Sequence, residues 1–157
     1  MLRERGTPLL VLDSGDMFIK NAAQMRQELP LLEVRSPLIV KSLNIIGYDA
    51  ANVGWQDLLL PPGILTAAAA NSSFPFLSAN LRAAETGEAA FPPYQIKEFE
   101  GFKVGIFGLV SDKMPAGIHR GTTRHTVLDP LEAARRAVKE LRESCQLVIA
   151  LTSQGLE

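Results

Sequence analysis

The run Leu9-Leu10-Val11-Leu12 ends in Asp13-Ser14-Gly15-Asp16. Four apolar residues followed by two carboxylates flanking a glycine match a buried strand that delivers an acid to its carboxyl edge. An acid placed there can hold a metal, move a proton or cap a helix. Asp16 is the strongest candidate site residue in the chain. His119 and His125 sit in the polar stretch 111–128 with no strand or helix periodicity to bring them together, so both read as solvent-exposed. Lys113, Arg120 and Arg124 add positive charge to the same stretch and read as surface charge. Cys145 is the sole cysteine, which excludes an intrachain disulfide, and its place beside an apolar run reads as a buried, inert thiol. Gly105 and Gly108 lie inside a strand with no helix start after them, so they form no phosphate-cradling loop.

These residues need elements to position them. Leu9–Leu12 reads as a first strand, and Met17–Leu29 as a helix that stops before Pro30. A second helix is predicted with Ser36 as N-cap, Pro37 at its first position, a stripe of Leu38, Ile39, Ser42, Leu43 and Ile46, and Gly47 as its left-handed stop. Strands follow at Asp49–Val53 and Phe76–Leu81, with a short alanine-rich helix at Ile64–Ala70 between them. Tyr94–Phe99 and Phe102–Val110 read as a hairpin turning at Glu100-Gly101. Asp129, Pro130 and Glu132 make a near capping box for a helix whose apolar face carries Leu131, Ala134, Val138 and Leu141. Leu147–Leu151 is the last strand. Strands alternating with helices imply an α/β domain, mostly parallel, with an antiparallel hairpin attached.

At 157 residues the chain fits one domain, residues 1–157, long enough to bury a substantial core. Sixteen basic against seventeen acidic residues give a net charge of −1, which leaves no broad field to hold a nucleic-acid polymer or an anionic membrane. No apolar run approaches the roughly 20 residues that span a bilayer.

Five blocks, in order, carry a resemblance. Leu10-Val11-Leu12-Asp13-Ser14-Gly15-Asp16-Met17-Phe18 resembles the second metal-binding motif of the 5′-nucleotidase and UDP-sugar hydrolase branch of the calcineurin-like metallophosphoesterases. Asn44 to Ala50 resembles the helix end before that family's Gly-Asn-His-Glu loop, which here reads Gly54-Trp55-Gln56-Asp57. Phe74 to Leu81 is similar to its next strand, Gly101 to Leu109 to its hairpin, and Leu147 to Gly155 to the strand that ends in Thr-His-x-Gly. The resemblance implies two mixed sheets sandwiched between flanking helices, lacking the first family strand. It places the Asp-x-His motif upstream of Met1 and Gly-His-x-His downstream of Glu157, so the chain reads as a partial domain. A periplasmic or extracellular parent, with further domains as partners, fits the same resemblance.

In that family an aspartate at the position of Asp16 bridges two divalent metals, which lower the pKa of water and neutralise developing phosphoryl charge. Residue by residue, Asp16 alone carries over as a metal ligand. Trp55 stands where the asparagine ligand belongs, and an indole N–H has no lone pair for a cation. Gln56 replaces the histidine that assists at phosphorus, and Ser153 replaces a histidine ligand. Asp57 matches the acidic residue after that histidine and is outside the ligand set. Trp55 reads as a packing residue filling the volume of a lost metal site, and Gln56 and Ser153 as makers of neutral hydrogen bonds there. Two functions follow. One is a catalytically degenerate domain with no cofactor that keeps the fold for binding or scaffolding. The other is an active phosphohydrolase on nucleotides or sugar nucleotides, completed by segments outside this chain and using two divalent metals (manganese, zinc or magnesium).

Overall fold

Glu100 and Gly101 have φ of 50° and 87°, the pair of left-handed residues that a two-residue hairpin turn of matching twist requires. They join β5 (Tyr94–Phe99) to β6 (Phe102–Leu109), antiparallel as the sequence predicts. The computed structural model describes residues 8–19, 22–61, 63–113 and 124–153. Its other elements are β1 (Leu12–Asp13), α1 (Ala22–Ile46), β2 (Ala50–Asn52), a 3₁₀ turn (Asp57–Leu59), α2 (Ile64–Asn71), β3 (Phe76–Leu77), β4 (Leu81–Ala83), β7 (His125–Val127), α3 (Pro130–Arg142) and β8 (Leu147–Thr152). One sheet has the order β1-β2-β3 and is parallel throughout, a second is mixed with the order β5-β6-β8, and β4 pairs antiparallel with β7. The α/β sandwich is therefore present, with one mixed sheet and one parallel sheet in place of two mixed ones.

Alternation along the strands explains the layering. Ala51, Val53 and Phe76 face a core shared with Leu32 and Val40 of α1 and Leu65 and Ala68 of α2. Ala50 and Leu77 point the other way, to Val104, Ile106 and Leu151 of the mixed sheet. The opposite face of β6 carries Phe107 and Leu109, which pack with Ala133, Ala137 and Leu141 of α3. Gly105 makes that helix fit, because a Cβ there would lie 2.8 Å from the Leu141 side chain.

Several boundaries differ from the sequence reading. The predicted break at Pro30 and restart at Ser36 are absent: α1 runs unbroken through Pro30 and Pro37. Each proline forfeits a backbone bond, yet Leu32, Ser36 and Val40 recur four residues apart as a buried face. Burial of that face outweighs the local breakers. Ser36 is thus a helix-interior residue, donating its hydroxyl proton to the Leu32 carbonyl at 2.7 Å. Leu38 and Ile46, expected inside, are exposed. Gly47, with φ of 82°, does end the helix: Tyr48 N bonds Leu43 O at 3.2 Å and Gly47 N bonds Asn44 O at 3.2 Å. The first strand shifts to Leu12–Asp13, and the predicted Phe76–Leu81 strand divides into β3 and β4, which join different sheets. On α3, Asp129 caps as predicted, accepting from Glu132 N at 2.9 Å; of the predicted face Leu141 is buried and Ala134 and Val138 pack half-buried on the same cluster, joined by buried Ala133 and Ala137, while Leu131 is exposed. Cys145 is half-buried against the α3 cluster.

Candidate functional site

Parallel strands bring their carboxyl ends to one edge, the usual place for a site in an open α/β sheet. Here the segments leaving β1, β2, β6 and β8 meet, and with them Asp16, Trp55, Gln56 and Ser153. The β1 exit turns sharply. Asp13 Oδ1 accepts from Gly15 N at 2.7 Å, Gly15 has φ of 105° and Asp16 φ of 62°. A left-handed backbone at a residue with a side chain is uncommon, and aspartate is among the types that tolerate it. Gly15 is pressed so close to the β2 exit that a Cβ would lie 2.8 Å from Gly54 N, and a Cβ on Gly54 would overlap Asp16 Oδ1.

Two carboxylates join these loops. Asp16 Oδ1 accepts from Gln56 N at 2.8 Å. Asp57 Oδ2 accepts from both Asp16 N and Gly54 N at 2.9 Å. Burial raises the Asp16 carboxyl above the usual carboxylate range, opposed by the Gln56 amide and helped by the nearby Asp13 charge. Asp57 is only 1% exposed, and burial pushes it up to about 7; the amides of Gly54, Asp16 and Phe18 pull the other way, and the Asp16 charge adds to the rise. Trp55 is buried and donates its indole N–H to Ser111 O at 2.7 Å, which ties the β2 exit to the β6 exit.

Asn52 and Asn80, which sequence reasoning did not single out, stabilise this edge from below. Asn52 Nδ2 donates to Ser14 O at 2.9 Å, just past β1, and to Leu109 O at 3.0 Å, at the end of β6. Gly108 leaves the room for it, since a Cβ there would overlap Asn52 Oδ1. Asn80 Nδ2 donates to Val110 O at 2.7 Å and Leu128 O at 3.0 Å, and its Oδ1 accepts from Val110 N at 2.9 Å. The available signal was a lone amide next to apolar residues, as in Ala50-Ala51-Asn52-Val53. Ser153 follows Thr152, which pairs with Leu109, so it reaches the same edge. The neutral hydrogen bonds expected of Gln56 and Ser153 are not made by Gln56 Oε1 or the Ser153 hydroxyl, which, like Asn52 Oδ1 and Asp57 Oδ1, are buried without a hydrogen-bond partner among the described residues.

His125 is not part of this cluster. His125 lies in β7 rather than in irregular chain, stacked on Phe91 at 6.2 Å, and is half-buried rather than solvent-exposed; burial lowers its pKa. His119 and Arg120 fall outside the described residues. A groove of about 600 Å³ between α1 and α2 is remote from the edge, and one of about 350 Å³ reaches it only at Asp57.

A dinuclear centre needs several lone-pair donors converging on two cations. Asp16 Oδ1 is already engaged by an amide, Trp55 offers a donor where an acceptor is required, and no three His, Cys, Asp or Glu side chains converge among the described residues. The donor set that these residues present does not fit two metals.

No family model matches the chain. It is 30% identical to a 5′-nucleotidase of Vibrio cholerae over 98% of its own length and 27% of that protein's. Among solved structures it superposes on a 5′-nucleotidase precursor of Thermus thermophilus with a TM-score of 0.71 at 26% identity, covering 96% of this chain and 29% of that one. The sulfate thiohydrolase SoxB of the same genus gives a TM-score of 0.77 at 21% identity, over 98% of this chain and 27% of SoxB, a likeness of fold. The chain thus spans just over a quarter of the length of the curated relatives it matches.

Proposed function

Since the chain belongs to the 5′-nucleotidase branch of the calcineurin-like metallophosphoesterases, we propose that it is a catalytically degenerate 5′-nucleotidase-like domain that keeps the fold to bind or to hold another module. Its residues support this reading through their hydrogen bonds. The aspartate that matches the family's bridging ligand spends one oxygen on the Gln56 amide, and the tryptophan in the asparagine position spends its N–H on Ser111 O. Architecture transfers between relatives more safely than activity does. Loss of one metal ligand or its partner costs orders of magnitude in rate, and three positions are substituted here.

The test combines metal analysis of the purified chain after exposure to manganese, zinc or magnesium with hydrolysis of AMP and UDP-glucose in each metal. A folded protein with less than one metal per chain and no turnover supports the proposal. Two metals per chain with turnover overturns it in favour of a working phosphohydrolase.

A further inference from the structure

The family's cations do more than chemistry: a metal bridged by side chains from several strand ends also cross-links the loops that carry them. In this chain hydrogen bonds join the same loops. Asp57 Oδ2 holds the amides of Asp16, on the β1 exit, and Gly54, on the β2 exit, at 2.9 Å each. Asp16 Oδ1 returns a bond to the β2 exit through Gln56 N. Trp55 extends the connection to the β6 exit through Ser111 O. Two glycines permit the contact: Gly15 and Gly54 have no room for a Cβ against one another's segments.

We infer that this clasp of Asp16, Asp57 and Trp55 replaces bridging cations as the cross-link of the carboxyl edge, with Asp16 converted from ligand to positioning residue. The inference rests on the degenerate reading proposed above and adds what took the metals' structural place. The bonds are reciprocal. Asp16 offers its amide to Asp57 and its carboxylate to Gln56, so neither loop can swing away without losing both. A hydrogen bond is electrostatically stronger in a buried setting than in water, which suits these two carboxyl groups to a cross-link between loops.

Thermal unfolding of the whole chain, in chelator and then in millimolar manganese, tests this. The wild type should melt at the same temperature in both. Asp16→Asn keeps an oxygen acceptor and should melt close to wild type, whereas Asp16→Gly, which accepts the left-handed backbone but has no acceptor, should melt about 3–6 °C lower. Trp55→Phe, which removes only the N–H and part of the ring, should fall by a similar amount. Amide exchange of the wild type in chelator guards against variants that fail to fold: Asp16, Gly54 and Gln56 should be protected as well as the amides of β2. Wild-type-like melting of Asp16→Gly and Trp55→Phe, or unprotected amides, would overturn the clasp and leave the degenerate reading standing. A manganese-induced rise in the wild-type midpoint that Asp16→Asn abolishes would overturn both.

Discussion

Gly54 carries a demand that its neighbours in sequence do not reveal. A Cβ there would overlap a carboxylate from another loop, so Gly54→Ala should cost about 1–3 kcal/mol as the two loops part. Gly63→Ala, where φ is 96° but no atom lies within 4 Å, should cost less, from backbone strain alone. Denaturant titration of both variants measures the difference. Asp57 makes a prediction about pH. Its carboxyl, near 7 when folded and near 3.8 when not, binds a proton in the native state that the unfolded state has released. Its contribution is therefore complete below about pH 3.8 and is lost as pH climbs to about 7. Asp57→Asn should flatten the fall in melting temperature between pH 5 and pH 8 relative to wild type; an unchanged slope would assign the proton elsewhere. At this scale the sequence exposed Asp16, because a strand and a glycine turn announce it locally. It hid the use of Asp57, whose carboxyl serves an amide 41 positions earlier.

The elements that could be read from sequence are those whose signals lie within a few residues. The hairpin turn, the cap at Asp129 and the glycine stop of α1 all belong to this group. Elements decided by distant packing could not be read. Nothing between Phe76 and Ala83 says that the chain changes sheets, and β7 exists only because β4 is there to pair with it. Helix α1 is the sharpest case, because local rules placed a break where burial of Leu32, Ser36 and Val40 holds a continuous helix. Pro37 is exposed on that helix, so Pro37→Ala should restore a backbone bond and raise stability by about 1–3 kcal/mol, offset in part by a freer unfolded chain. If the helix instead began at Ser36 with Pro37 at its first position, the same substitution would leave the melting temperature unchanged or lower it. At the other end, Asp129→Ala should cost about 1 kcal/mol.

For the molecule as a whole, membership of the family accounts for the architecture. Among the described residues no helix is long and apolar enough to cross a membrane. Trp55 is the sole tryptophan and sits at the carboxyl edge, so its fluorescence reports that edge while circular dichroism reports chiefly α1, α2 and α3. The two signals should change at one midpoint, and separate midpoints would mean that the edge melts on its own. The expectation comes from Asn52 of β2, whose amide joins the carbonyl just past β1 to that of Leu109 on β6 in the space Gly108 leaves. A slip of β6 by a single residue would drive Phe107 or Leu109 into that space and strand the buried amide. The two layers behave like a key in a lock: seated fully or withdrawn, with no halfway position in which the sheets slide past each other.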